Sequence, residues 1–138
     1  MLIEYLSGLY TSDINTSLDR QIYNKYNISI VINLTQLDNF VDLNIKKTRI
    51  PISNDLNFHT DIKLLNNNMI NILSYIHNNL ITNNILVVCN NGLTISPIII
   101  GLYISKYGNI SLNNIRDILK SKNKNICIDL NLNIFTIN

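Results

Sequence analysis

The chain has 138 residues and a formal charge of +2, with 46% hydrophobic and 14% charged residues. That length points to one compact domain over residues 1–138 and excludes a two-domain enzyme with a separate cofactor fold. The small charge, with no basic block denser than the spaced Lys120, Lys122 and Lys124, leaves little electrostatic footprint for a nucleic-acid partner.

In chain order, the opening Met-Leu-Ile-Glu-Tyr-Leu carries an acid at Glu4 and no basic region before an apolar stretch, so it does not read as a signal peptide. Ile3 to Tyr10 reads as one or two short strands around Gly8, and Ser17 to Tyr26 as a helix with Leu18, Ile22 and Tyr26 on one face. Ile28 to Leu34 is a β-branched run that suits a buried strand, and Lys47 to Ile52 a further strand ending near Pro51. Asn54 to Thr60 reads as loop. From Asp61, the residues Ile62, Leu65, Met69, Ile72, Ile76 and Leu80 step by three and four and predict a long helix. Ile85-Leu86-Val87-Val88 predicts a short central strand. A helix starting near Ser96-Pro97 and running to about Tyr107 is apolar nearly all round, which places it across the buried middle of the fold. Gly108 is its expected stop, Ser111 the expected N-cap of a last helix buried through Leu112, Ile115, Ile118 and Leu119, and the tail from Ile126 is strand, short helix or coil. This alternation of strands and helices predicts an α/β fold with a central, mostly parallel sheet flanked by helices.

The composition holds 26 Asn and 27 Ile with no Ala and no Trp, a bias that follows AT-rich codons better than any requirement of a fold. The Asn are interleaved with apolar runs, so a core can offset ordering entropy and disorder is not expected. The longest apolar run, Ile98 to Ile104, is interrupted by Gly101 and Tyr103 and is too short to span a membrane. An intracellular, soluble chain with no membrane partner is expected, in which Cys89 and Cys127 stay reduced.

The informative stretch is Val88-Cys89-Asn90-Asn91-Gly92-Leu93-Thr94-Ile95-Ser96, which joins the buried strand to the start of the buried helix. A short glycine-containing loop running into a helix start aims backbone N–H groups inward, and the helix dipole adds positive potential, so the stretch is built as an anion cradle. A cysteine at the base of such a loop is in the setting that favours a nucleophilic thiolate. The competing reading is a small buried hydrophobe that ends a strand.

Here the chain resembles the cysteine-dependent dual-specificity protein phosphatases, and in particular the small poxviral members of that family. Their signature is His-Cys, five residues containing Gly, then Arg and Ser or Thr, and the sequence aligns to it without a gap. Cys89 falls on the nucleophile, Gly92 on the loop glycine and Ser96 on the hydroxyl after the arginine, with Asn90 to Ile95 completing the phosphate loop. Tyr5-Leu6-Ser7-Gly8 is similar to the family's opening strand, Ile32-Asn33-Leu34-Thr35 to its "NLT" strand and Arg49-Ile50-Pro51-Ile52 to the strand before the general-acid loop. Poxviral relatives carry a further N-terminal segment for dimerisation that this sequence lacks, so any dimer would use another surface.

Two departures bear on function. The arginine position is Ile95 and the histidine position is Val88. The family's arginine grips phosphate with a planar fork and stabilises charge on its equatorial oxygens, and isoleucine does neither. Loss of one oxyanion donor costs about 10²–10³ in rate, and loss of a bidentate cation at least that. An apolar branched side chain in that place adds a desolvation penalty for a dianion. Val88 removes the side chain that helps hold the loop and tune the thiol. The family's general acid lies on the loop after the Ile-Pro strand, where Asp55 is the candidate; if the frame shifts by one, Asn54 holds that place and the acid is missing. A solvated turn residue is an equally good reading of Asp55, and Asp61 reads as an acid complementing the dipole of its helix.

His59 and His77 have no metal-ligand spacing with the cysteines and read as a loop and a helix-surface residue, and Cys127 as a buried inert thiol. No cofactor or metal is implied. The resemblance and its departures together imply a pseudophosphatase that binds protein, its partner being a kinase, an active phosphatase or a phosphoprotein, in a host cytoplasm or virion if the source is viral. The alternative is a weakly active or altered-chemistry enzyme in which Cys89 works with backbone N–H groups alone.

Overall fold

The computed structural model describes residues 1–36, 39–54 and 59–138. Its strands β1 (Ile3–Leu6), β2 (Leu9–Ser12), β3 (Ile28–Asn33), β4 (Lys46–Arg49) and β5 (Asn84–Val88) form a five-stranded sheet in the order β1-β2-β5-β3-β4. β1 and β2 form an antiparallel hairpin, and the β2–β5, β5–β3 and β3–β4 pairs are parallel. The sheet is therefore mixed and mostly parallel, as the alternating pattern predicts.

Helices cover both faces, and the strand residues explain why. Ile30, Ile32, Ile85 and Val87 join one apolar cluster with the helices α3 (Thr60–Leu80), α4 (Ile95–Gly108) and α5 (Ile115–Lys122). Val31, Leu86 and Val88 point the other way and pack with Tyr10, Tyr23 and Val41, beneath the short helices α1 (Ile14–Ser17) and α2 (Arg20–Lys25). A period of two along each strand thus fills two cores from one sheet. α3 buries Ile62, Leu65, Met69, Ile72 and Ile76, the stripe that the three-and-four spacing predicts. α4 is buried from Ile95 through Ile104, which accounts for its all-round apolarity. α5 packs closely on it, since a Cβ at Gly101 would lie 2.6 Å from Ile115 Cγ2.

Local details differ from the pattern-based expectations. The helix read over Ser17 to Tyr26 is two short helices, because Asp13 caps α1 through the Thr16 N–H and Asp19 caps α2 anew through the Gln21 N–H. The left-handed residue that ends α4 is Asn109 (φ 54°), not Gly108, which remains the last helical residue. The strand ending near Pro51 stops at Arg49, although the Ile50 N–H still donates to Asn33 O at 2.9 Å. Ser111 accepts from the Asn113 N–H as expected of an N-cap, but the turn it opens is a 3₁₀ turn over Leu112–Asn114 that leads into α5. The tail beyond Asn123 is coil with one 3₁₀ turn, Leu132–Ile134.

Candidate functional site

The register of the parallel strands brings Ser12, Val88 and Asn33 into one row at the C-terminal edge of the sheet. Ligand sites of open α/β sheets form outside that edge, and the chain leaves β5 there as Cys89. The Cys89 N–H donates to Ser12 O at 3.4 Å and the Ile14 N–H to Asn90 O at 3.4 Å, so the exit of β2 props the loop from one side. Gly92 (φ 72°) lies so close to that exit that a Cβ would sit 2.9 Å from Asp13 N and from Ser12 C. From the other side the Cys127 N–H donates to Leu93 O at 2.8 Å. The loop ends at α4, with Thr94 as its N-terminal flank, Ile95 its first residue and Pro97 in its first turn.

Within this frame Cys89 is 2% exposed and its Sγ lies 3.2 Å from Ser96 Oγ, itself fully buried. The thiol and hydroxyl of the signature are thus brought together. Asn91 Oδ1 accepts from the Leu93 N–H at 2.9 Å and from Thr94 Oγ1 at 3.3 Å, and lies 3.7 Å from Cys89 Sγ. One of the loop's amide donors therefore already serves a side-chain oxygen. Asn90 is exposed, and Leu93 and Thr94 are half-buried.

The two departing positions are both in the core. Ile95 is 6% exposed and joins the α3–α4–α5 cluster, while Val88, wholly buried, faces the opposite cluster. A mouth of about 270 Å³ opens beside the loop, bounded by Asn91, Thr94 and Ile95 together with Ile98, Ile128 and Leu130. Asp55 lies outside the described residues; Asn54, the other candidate of that loop, is exposed and lines the mouth.

Several residues that shape the site are not evident from sequence. Asn33 Oδ1 accepts from the Thr35 N–H at 2.9 Å, and Arg49 Nη1 donates to Thr35 O at 2.8 Å with its guanidinium 4.7 Å from the Phe40 ring centre. The "NLT" and Arg-Ile-Pro segments are thereby locked to each other. Asp61 does more than complement a dipole: it is buried and accepts from the Ser53 N–H at 3.2 Å and from the Ser53 hydroxyl, so α3 anchors the segment after β4. Only an acid opening an apolar stripe signals this in the sequence. Cys127 is exposed rather than a buried inert thiol, because its neighbours Ile126 and Ile128 take the inward positions.

His77 lies on the exposed face of α3, stacked on Tyr107 at 3.9 Å with Nδ1 3.2 Å from the Tyr103 hydroxyl, and His59 is exposed just before the helix. Among the described residues no three His, Cys, Asp or Glu side chains are grouped to hold a metal ion, and no helix is long and apolar enough to cross a membrane.

A cysteine at the end of a central parallel strand, a glycine-bearing loop and a hydroxyl in the first turn of the next helix define the cysteine-dependent phosphatase architecture. Residues 9–134 match the family described as "Dual specificity phosphatase, catalytic domain", and the chain belongs to that family. Its fold is similar to that of DUSP15 (TM-score 0.82, 18% identity, 96% of this chain and 82% of that one). It is also similar to human tyrosine phosphatase-like serine/threonine/tyrosine-interacting protein (TM-score 0.78, 17% identity, 95% and 89%). Human DUSP28 is a third such neighbour (TM-score 0.75, 13% identity, 93% and 84%). At these identities the likeness is one of fold. By sequence, no curated protein matches the chain.

Proposed function

We propose that this dual-specificity-phosphatase-like chain has lost hydrolysis and acts as a protein-binding or scaffold module, a pseudophosphatase. The observation that carries this reading is the fate of the signature arginine and histidine positions: both hold apolar side chains, Ile95 and Val88, packed into the two cores of the sheet. With Ile95 in place, the site lacks the planar cation that grips phosphate and stabilises its equatorial oxygens. Asn91 Oδ1 on the Leu93 N–H removes a further donor from an incoming oxyanion. The partners that suit such a module are a kinase, an active phosphatase or a phosphoprotein. The poxviral character of the resembling sequences and the AT-rich bias favour a viral source, and with it the host cytoplasm or the virion.

One observation favours a second reading, a weakly active or altered-chemistry phosphatase: Cys89 keeps its hydroxyl neighbour Ser96 at 3.2 Å. Hydrolysis of a small aryl phosphate by the wild type, Cys89→Ser, Ile95→Arg and Val88→His/Ile95→Arg separates the two. The expected result is no wild-type turnover above that of Cys89→Ser, with activity gained on repair. Because Val88 is fully buried, Ile95→Arg alone guards against a double variant that fails to fold. Wild-type turnover abolished by Cys89→Ser would overturn the proposal.

A further inference from the structure

The mouth beside the phosphate loop has the wrong chemistry for phosphate and a suitable one for something else. Its buried wall is Ile95, Ile98 and Ile128, with half-buried Leu130 beside them. Asp129 is the only charged side chain among its described lining residues. A dianion placed there would find only neutral donors on Asn54, Asn91 and Thr94 and no cation among the described lining residues, beside apolar carbons and a carboxylate that disfavour it. At about 270 Å³ the space lies just below the roughly 300–1,000 Å³ of drug-sized ligand sites, a size that suits one large side chain. Cys89 does not line it, so an occupant sits over the loop without reaching the thiol.

We infer that this mouth is a docking pocket for an unphosphorylated segment of a partner protein that presents one large apolar side chain next to Lys or Arg. The apolar side chain fills the isoleucine-walled space, and the neighbouring base pairs with Asp129 at the rim. Charge complementarity selects the base, and the missing cation selects against phosphate. This inference rests on the protein-binding reading above and deepens it by naming the surface and the kind of segment it takes.

The test uses fluorescein-labelled heptapeptides Gly-Ser-X-Lys-Arg-Ser-Gly, with X as Leu, Phe, Ser or phosphotyrosine, titrated by fluorescence anisotropy against the whole chain. The Leu and Phe peptides are expected to bind at least about tenfold more tightly than the Ser peptide, as burial of one large apolar side chain implies. The phosphotyrosine peptide is expected to bind more weakly than the Phe peptide. Asp129→Lys, an exposed substitution, should weaken the Leu and Phe peptides about threefold. Alkylating the exposed rim thiol Cys127 with N-phenylmaleimide in the Cys89→Ser background should block them, without asking a buried substitution to fold. A Ser peptide that binds as well as Leu and Phe, a phosphotyrosine peptide that binds more tightly than Phe, or no binding by any peptide would overturn the pocket assignment. Phosphate release from the phosphotyrosine peptide, followed in the same samples, instead counts against the loss of hydrolysis, whatever the ranking of affinities.

Discussion

The side-chain oxygen of Asn91 receives the Leu93 N–H at 2.9 Å while standing 3.7 Å from the Cys89 thiol. An amide oxygen thus holds part of the space in which a bound oxyanion would collect backbone donors. Removing it in Asn91→Ala frees the Leu93 N–H, and a single hydrogen bond of this kind corresponds to about a threefold to tenfold gain in tungstate affinity. Calorimetric titration of tungstate into the two proteins checks this; equal affinities would show that the Asn91 contact does not compete with anions.

Gly92 is the tightest point of the loop. An alanine there combines a positive φ with a Cβ at 2.9 Å from backbone atoms of Ser12 and Asp13, neither of which is the movable end of a side chain. Gly92→Ala is expected to lower stability by about 2–4 kcal/mol, read from the shift of the urea unfolding midpoint.

Arg49 contributes through its contacts rather than through exposed charge. It donates to the Thr35 carbonyl and lies over Phe40, so Arg49→Met keeps much of its length but loses the bond to a buried residue. The expected cost is about 1–3 kcal/mol. Arg49→Lys should recover little of it, because an ammonium has no plane to stack and no fork.

The contact between α4 and α5 gives a separate test. Gly101→Ala places a methyl 2.6 Å from Ile115 Cγ2 and 3.1 Å from Leu119 Cδ1, and overpacking of this kind costs about 1–3 kcal/mol. Ile115→Leu in the same chain removes the β-branch methyl Cγ2 that the new Cβ meets and should recover part of that loss in the urea unfolding midpoint, which a purely backbone effect would not allow.

Alkaline titration should unfold the protein cooperatively. Burial, with Glu4 and Tyr26 nearby, pushes the Tyr10 hydroxyl up to about 12 from its ordinary 10.0, and burial raises Tyr5 and Tyr23 as well. The unfolded chain releases these protons near the ordinary value and the folded chain retains them, so stability is intact below pH 10 and falls as the pH rises towards 12. Tyrosinate absorbance from the buried Tyr5, Tyr10 and Tyr23 is expected to appear together with loss of circular dichroism. A single stage at the ordinary value with the fold intact would contradict this.

The sheet and its long helices were legible because burial dictates their periods: the Ile85–Val88 run, the α3 stripe and the all-apolar α4 each state their surroundings in residue type alone. The loop, too, was legible as a strand–glycine–helix junction. Less legible were features set by pairs far apart in the chain. Nothing near Thr35 announces that Arg49 will cap its carbonyl, and nothing near Ser53 that Asp61 will turn inward to meet it. Cys127, expected as a buried thiol, faces outward for a simpler reason: Ile126 and Ile128 on either side of it take the inward positions.

The bond from Cys127 to Leu93 also ties the loop to a distant stretch of the chain. Residues 89–96 are held by the exit of β2 on one side and by a backbone amide more than thirty positions downstream on the other. The β2–β5 pairing and the burial of α4 do not involve that amide, so the outer brace can let go while the sheet stays whole. Local release of the segment around Cys127 frees the Leu93 carbonyl and part of the mouth's wall together, so a partner that reads this surface also reads whether that distant segment is docked.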